Sequence, residues 1–400
     1  MKTLHRDADL KHKADSFHKP EVQPAGLPLN ILPPAASPTV HGPGGGSVES
    51  LSHTFGGMFG DSHEQAPSVE PVAAPAAAPA APAVKSKPGV YEGVTDRTAE
   101  YGGLAAGKRP STEGVVLHRT NSTSGARTLS DYKSRIRQGS SIGAQYLIDE
   151  GGGTSLITPV DSLVSHAKGF NSTAIGVEVV GQAQHLDRSG RHGTLRSQVS
   201  GLNLSPELKA RLLGYDDKRL GSVLSSNGDN VYQDISGVQK RSVWNLTNHL
   251  ASDYGLDLNS LSEHGAGESG ANHYSRKTVP DFSAHEHINP KSLGEGEPMV
   301  EFLRARQQYP QLVAQAQQRL AALRASGGDP AQIARYEALV SKESSTLGSL
   351  NVDGTAAETQ ALKAEQQSGK PGEATVREQQ RTDFYDHFYD RIGALKGAVK

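Results

Sequence analysis

The sequence of 400 residues contains no cysteine. Disulfide bonds, a thiolate nucleophile and cysteine-ligated zinc are therefore excluded, and a metal site would have to use histidine, aspartate or glutamate. Aromatic residues make up only 5% of the chain and hydrophobic residues 35%. These fractions are low for one compact globule, so we expect part of the chain to stay outside any core.

Charge of one sign and long hydrophobic runs are scarce as well. The 41 basic and 43 acidic residues give a formal net charge of −2, which offers no argument for a nucleic-acid partner. No stretch approaches the roughly 18 consecutive apolar residues of a transmembrane helix, so no membrane span is predicted. Residues 1–9 also lack the apolar segment of a secretory signal, so no signal peptide is predicted.

Composition divides the chain into three regions. Residues 1–110 are rich in proline, alanine and glycine, which predicts a disordered N-terminal region. Residues 111–290 mix strand-like and helix-like patterns, with a polar surface insertion at about 182–236 that contains one helix. Residues 291–400 are predicted to form a helical hairpin or bundle, in which an aromatic stripe at 384–392 serves as core or as a partner-facing seam.

The middle region opens on a short apolar segment that ends in a histidine. Val115-Val116-Leu117 predicts a buried strand, and His118 follows it directly. Taken alone, such a histidine is most simply explained as a structural one. A hairpin is predicted over 142–158 and another strand over 172–181, and the latter is interrupted by Glu178. That carboxylate either lies on the solvent face of an edge strand or faces a polar cavity or a cation.

A second exposed histidine follows the predicted helix over 238–254, which Gly255 ends. This histidine is His264. Two histidines and one oxygen ligand form a three-ligand zinc set that leaves a fourth position for water. A carboxylate outside the metal shell, here Glu178, can take the proton of that water. The residues therefore allow a metal hydrolase.

In their order along the chain, residues 113–283 resemble the zinc-dependent N-acetylmuramoyl-L-alanine amidases of the amidase-2 type. That group includes AmpD-like enzymes, phage amidase lysozymes and peptidoglycan recognition proteins. The segment Asn171-Ser172-Thr173-Ala174-Ile175-Gly176-Val177-Glu178-Val179-Val180-Gly181 is the most similar one. The resemblance implies an α/β fold with a mixed central β-sheet flanked by helices. It also implies His118 and His264 as zinc ligands and Glu178 as the catalytic carboxylate.

Further site residues are implied by the same resemblance. Tyr146 falls where some members carry a functional tyrosine, and Lys277 corresponds to the lysine that polarises the substrate carbonyl. The usual third zinc ligand lies two residues after that lysine, but the chain has Val279 there, which cannot bind zinc. Asp281 is the nearest replacement, and His273 is the alternative.

The predicted function is hydrolysis of the amide bond between N-acetylmuramic acid and L-alanine in peptidoglycan or muropeptides, with zinc-activated water. A catalytically inactive peptidoglycan-binding module, or an adaptor that acts through its flanking regions, are the alternatives. An intact wall lies outside the cytoplasm. We therefore expect a cytoplasmic protein that is secreted, or delivered to a target periplasm, by a non-Sec route, as an antibacterial effector or a phage lysis or virion protein. An immunity protein or a secretion apparatus would be its partner.

Overall fold

The computed structural model describes residues 88–263, 274, 279–288 and 293–400. Within these ranges the strands are β1 (Val94–Asp96), β2 (Gly114–Arg119), β3 (Tyr146–Ile148), β4 (Thr154–Leu156), β5 (Ala174–Val179), β6 (Ala183–His185), β7 (Asn230–Tyr232) and β8 (Phe282–Ala284). The helices are α1 (Thr98–Tyr101), α2 (Gly125–Arg137), α3 (Leu195–Gly201), α4 (Pro206–Gly214), α5 (Asp217–Ser226), α6 (Gly237–Tyr254), α7 (His285–Ile288), α8 (Glu297–Ala325), α9 (Pro330–Asn351), α10 (Ala356–Ser368), α11 (Glu373–Asp386) and α12 (Phe388–Val399).

Six strands form the main sheet in the order β1-β4-β3-β5-β2-β8. β3 and β4 pair antiparallel as the predicted hairpin, and the other neighbouring strands of this sheet pair parallel. The apolar strands β2 and β5 occupy adjacent interior positions, as expected for strands that are buried on both faces. The predicted mixed central sheet flanked by helices is confirmed.

The register of the strands decides which side chains share a face. His118 on β2 lies opposite Glu178 on β5, and Leu117 lies opposite Val177. Tyr146 on β3 also pairs with Val177. Because successive side chains of a strand point to opposite faces, His118 and Glu178 share one face and Tyr146 lies on the other.

The face that carries Tyr146 packs against helices from both the middle and the C-terminal regions. Its aliphatic residues form one apolar cluster with α6, α8, α11 and α12. Phe384, Tyr385, Phe388 and Ile392 of the predicted aromatic stripe are buried in this cluster. The helical prediction for the C-terminal region is confirmed, but the helices share a core with the sheet, so the described residues show no separate unit beyond residue 290.

Local signals explain where α6 begins and ends. Ser236 caps its first turn by accepting a hydrogen bond from the backbone N–H of Gln239, whose side chain accepts one from the Ser236 N–H in return. Gly255 ends the helix in the left-handed conformation, with φ of 65°. The predicted helix over 238–254 is therefore confirmed to within one residue at its start.

The folded chain begins earlier than the composition predicted. β1 pairs with β4 at one edge of the main sheet. Tyr101 and Leu104 are buried against α2 and the face that carries His118. The prediction of disorder is therefore wrong for residues 88–110, because strand pairing and packing from distant segments overrode a composition that favours loops. Residues 1–87 lie outside the described part.

The insertion at 182–236 is more ordered than its polar composition indicated. It contains α3, α4 and α5 and a two-stranded ribbon of β6 and β7. Leucines and valines from these short helices form their own apolar cluster. Each helix has only 7–10 residues, so a few apolar positions suffice to bury one face. The remaining residues of each helix are mostly polar, which gives the segment its polar composition.

Within the described residues, every helix is too short or too polar to span a membrane.

Arg381 should be a major stabilising residue of the C-terminal helices. Its buried guanidinium donates to Glu358 and Glu378, at 2.9 Å in each case. We expect Arg381→Met to lower the free energy of unfolding by about 3–5 kcal/mol, because Glu358 keeps less charge compensation in a buried position. Arg324→Met is the matched control: it breaks an exposed pair with Glu337, and we expect a loss below about 1 kcal/mol. Equal losses of unfolding free energy for the two variants, measured by urea titration, would contradict this expectation.

Candidate active site

Two neighbouring parallel strands of the main sheet each carry a histidine at or directly after the carboxyl end. β8 lies beside β2 with Ala284 opposite Leu117. The residues that follow this pair are His118 on β2 and His285, directly after β8. Their rings lie 4.4 Å apart between centroids, and each residue is only 2% exposed. The pairing of β8 with β2 therefore brings two buried imidazoles together at the carboxyl ends of the strands.

Glu295 completes a group of three potential metal donors. Its Oε1 lies 2.7 Å from Nδ1 of His285 and 3.7 Å from Nδ1 of His118. Burial on its own would raise the pKa of Glu295, but the hydrogen bonds and positive charge that both imidazoles offer bring it down to about 2. Glu295 is therefore ionised at neutral pH, which is the state that a metal ligand needs.

The segment around Glu295 is held against the sheet by its backbone. The buried carboxylate of Glu286 accepts hydrogen bonds from the N–H groups of Gly296 and Glu297, at 2.6 and 2.8 Å. A Cβ at position 296 would lie 2.3 Å from the carbonyl oxygen of Leu117, so only glycine permits this approach to β2. Burial and the nearby carboxylates of Glu297 and Glu295 raise the pKa of Glu286 to about 8.

These three residues fit a zinc ion. One ligand atom from each of His118, His285 and Glu295 lies within 4.8 Å of the others. Two imidazoles and one carboxylate form a typical set of protein ligands in catalytic zinc sites, where the fourth position takes water or substrate. The buried, ionised carboxylate also supplies a negative charge that a divalent cation would balance.

Glu178 lies next to this group on the neighbouring strand. It shares a face with His118 and is opposite it in the register, and adjacent strands are about 4.8 Å apart. Its Oε2 is buried and has no hydrogen-bond partner among the described residues. Burial and, to a lesser extent, the charge of Glu295 raise the pKa of Glu178 to about 7. A carboxyl group with that pKa can both take and return a proton near neutral pH.

A third histidine contacts His118 from the other side. His166 Nδ1 lies 3.2 Å from Nε2 of His118, and its own Nε2 lies 3.1 Å from the carbonyl oxygen of Ala174. Burial, followed by the neighbouring charge of His118, lowers the pKa of His166 well below its usual range. His166 is therefore a neutral imidazole that bridges His118 and the backbone of β5.

Two of the residues expected in the site lie elsewhere. Tyr146 is on the opposite face of the sheet, and its buried hydroxyl donates to the carbonyl oxygen of Gly89 at 2.9 Å. Asp281 precedes β8, at the end of that strand remote from His285, and its carboxylate accepts from the N–H of Asp257 at 2.7 Å. Strand direction separates Asp281 from His118, so these two expectations are corrected.

Three other expected residues, His264, Lys277 and His273, lie outside the described residues. His285 and Glu295 were not predicted, because the family resemblance covers only residues 113–283 and both residues follow it. A signal for His285 was present: Phe282-Ser283-Ala284-His285 repeats the pattern of a short strand that ends in a histidine. Glu295 had no such signal, since its position depends on the close approach of Gly296 to Leu117 on β2.

Comparison with protein families matches residues 107–282 to the amidase-2 family, described as N-acetylmuramoyl-L-alanine amidase. The matched span contains His118, His166 and Glu178. His285 and Glu295 follow it. Comparison with curated proteins gives no significant match.

Comparison with solved structures finds distant likenesses. The endolysin N-acetylmuramoyl-L-alanine amidase LysCS from Clostridium intestinale is 13% identical, with a TM-score of 0.30, over 53% of this chain and 93% of that one. An endolysin from a Thermus scotoductus bacteriophage is 12% identical, with a TM-score of 0.28, over 53% of this chain and 98% of the endolysin. The hydrolase AmiA from Staphylococcus aureus is 12% identical, with a TM-score of 0.27, over 53% of this chain and 80% of AmiA.

Proposed function

Residues 107–282 belong to the amidase-2 family of N-acetylmuramoyl-L-alanine amidases, and from this premise we propose that the protein is a zinc-dependent peptidoglycan amidase. The bond cleaved is the amide between the lactyl group of N-acetylmuramic acid and L-alanine. One observation carries the proposal: His118, His285 and Glu295 converge beside Glu178, whose buried oxygen has no partner among the described residues.

His118, His285 and Glu295 would hold the metal, and Glu178 stands outside that set. When bound, Zn²⁺ would polarise the scissile carbonyl and lower the pKa of a coordinated water towards ~7. Glu178 takes a proton from the attacking water and then returns it to the nitrogen of the leaving L-alanine. The elements of water are thereby added across the C–N bond, and Glu178 ends in its starting state. Lys277 remains the proposed donor to the developing oxyanion.

The buried Oε2 of Glu178 favours an enzyme over an inactive binding module. Burying a carboxylate without hydrogen bonds costs stability, and a module that only binds peptidoglycan would gain nothing from it. Unsatisfied polar groups of this kind are expected where catalysis needs a group with a shifted pKa. The three potential metal donors also favour an enzyme, since His118 and His285 are buried and Glu295 is half-buried beside them.

We expect about one zinc ion per chain in carefully purified protein, because His118, His285 and Glu295 together form one three-ligand zinc site. His118→Ala should remove both the zinc and the cleavage of muropeptides. His249→Ala is the matched control, since this half-buried histidine stacks on Tyr91 from α6, away from the proposed site. Elemental analysis and chromatography of digested muropeptides give the two readouts. Full cleavage by the His118 variant would refute the proposed metal site.

We further propose that the enzyme acts outside the cell that makes it, as a delivered antibacterial effector or a phage lysis or virion protein. The support is chemical: an intact wall lies outside the cytoplasm. An immunity protein or a component of a secretion apparatus would then bind the chain. Fractionation of producing cells and their medium tests this proposal, and protein confined to the cytoplasm under all conditions would rule it out.

A further inference from the structure

We propose that Arg119 binds a carboxylate of the stem peptide, the half of the substrate that begins at L-alanine, and so contributes to substrate specificity. The inference rests on the proposed function and extends it to a residue outside the metal group. Arg119 is the last residue of β2. It is only 7% exposed, and its Nε and Nη1 are buried without a hydrogen-bond partner among the described residues.

Arg119 is a buried cation that forms no ion pair within the described part of the chain. The negative charge of Asp234 acts on it without direct contact. The oxygens of Asp234 are already engaged, because Oδ2 lies 2.6 Å from Nζ of Lys240 and Oδ1 accepts from the N–H of Ile235 at 2.8 Å. A buried charge without a partner opposes folding. An anionic ligand would compensate it.

The surroundings of the guanidinium leave its edge available to such a ligand. A Cβ at position 181 would overlap Nη2 and Cζ of Arg119, so Gly181 provides the space for the group. Cζ lies 5.9 Å from the centroid of the Tyr232 ring, which is a cation–π distance. That contact uses the face of the ring and takes up none of the N–H groups in the plane of the guanidinium.

Tyr232 connects Arg119 with the segment that carries Glu295. The backbone N–H of Tyr232 donates to the carbonyl oxygen of Leu293 at 2.8 Å. Arg119 and the three potential metal donors therefore lie near one another at the carboxyl ends of the strands, where open α/β sheets bind ligands. A substrate whose scissile carbonyl reaches the metal group can extend its stem peptide towards Arg119.

The chemistry of the substrate identifies the anion. The planar fork of a guanidinium donates two parallel hydrogen bonds to a carboxylate. In the uncut substrate the lactyl carboxyl is part of the scissile amide, so the free carboxylates are those of the stem peptide. The lactyl carboxylate appears only after cleavage and cannot contribute to recognition of the substrate.

Two muropeptides that differ only in whether their stem-peptide carboxylates are free or amidated test the proposal on the zinc-loaded full-length chain. We expect the wild type to have about 10–100-fold higher kcat/KM for the free form, the scale of a hydrogen bond to a charged group, mainly through KM. Arg119→Met should lose this preference and keep its zinc. Arg119→Lys should keep part of it, because an ammonium group has the charge but lacks the fork.

The stability of the chain without substrate separates a binding role from a structural one. Arg119→Met should unfold at a urea concentration no lower than the wild type, because it removes a buried cation that has no partner. Lys240→Met is the matched control, since Lys240 is 6% exposed but pairs with Asp234, and it should unfold at lower urea. Equal destabilisation of the two variants would assign Arg119 a structural role and overturn the proposal.

Gly181→Ala gives an independent variant that retains the arginine. Its added Cβ must displace the guanidinium, so loss of the preference for free carboxylates supports the proposal and an unchanged preference overturns it.

The source of the carboxylate and the two possible failures are distinguishable. Inhibition of the wild type by N-acetylmuramic acid that disappears in Arg119→Met, without a preference between the muropeptides, would assign Arg119 to the lactyl carboxylate and overturn the proposal. Cleavage of both muropeptides by the wild type at equal kcat/KM would refute this inference alone. Cleavage of neither would refute the proposed function, and this inference with it.

Discussion

His285→Ala is expected to lose its zinc and to hydrolyse muropeptides at least roughly 10³-fold more slowly than the wild type. Loss of a metal's charge stabilisation costs several kcal/mol in the transition state, and each 1.4 kcal/mol is about tenfold in rate. Because His285 is buried beside His118, its removal leaves only two protein donors for the metal. Elemental analysis and initial rates on purified muropeptides measure the two effects.

Asp281→Asn is the informative control, since Asp281 was the predicted third ligand, with His273 as its alternative. Its carboxylate binds the backbone N–H of Asp257 rather than facing His118. We expect this variant to keep its zinc and most of its activity, with a loss of stability of about 1 kcal/mol from the weakened hydrogen bond. Zinc retained in His285→Ala but lost in Asp281→Asn would show that the ligand set of the structure is wrong.

Glu178→Gln is expected to lower the rate of hydrolysis by about 10²–10⁴-fold, the usual contribution of a general acid–base group. The amide has nearly the shape of the carboxylate but cannot accept and return the proton. Zinc should remain bound, because Glu178 is not one of the three grouped donors. Activity close to that of the wild type would exclude Glu178 as the proton carrier.

The same variant is expected to change how the stability of the metal-free protein depends on pH. The pKa of Glu178 is raised from 4.5 to about 7 by burial, so its ionised form opposes folding. The stability that its protonated form contributes is complete below about pH 4.5 and is lost as the pH rises through about 7. One pKa unit corresponds to about 1.4 kcal/mol, which makes the effect on the order of 1–3 kcal/mol.

The difference between variant and wild type isolates this contribution. Glu286 and Glu301 also have raised pKa values, of about 8 and about 7, so the wild-type curve alone reports several groups. In urea titrations of metal-free protein, Glu178→Gln should gain stability relative to the wild type between pH 5 and pH 8. A constant difference across that range would contradict the raised pKa.

The strands and helices that the sequence predicted well are those with strong local signals. The apolar run before His118, the Glu178 strand, and the capped helix that Gly255 ends are all found at or near their predicted positions. The resemblance to a known family then identified His118 and Glu178 as a pair. The parallel register of β2 and β5 explains why that pair lies side by side.

The remaining site residues depended on facts that local sequence does not contain. Tyr146 was expected near His118, but the register of β3 places Leu147, not Tyr146, beside Glu178 on that face. His285 reaches His118 only because β8 pairs with β2 on the side away from β5. Glu295 reaches both histidines because Glu286 accepts hydrogen bonds from the backbone N–H groups of the two residues that follow Glu295. Register, strand order and loop packing are tertiary properties, and they determine which residues form the proposed ligand set.

The most direct test of the proposed function is to identify the bond that the zinc-loaded protein cleaves in purified peptidoglycan. Mass spectrometry of the products, with labelling of new amino groups, locates the bond. We predict peptides with a free L-alanine amino terminus and glycans with a free lactyl carboxylate, with activity lost on chelation and restored by zinc. Products cut within the glycan or between stem peptides, or no new amine with zinc bound, would contradict the account.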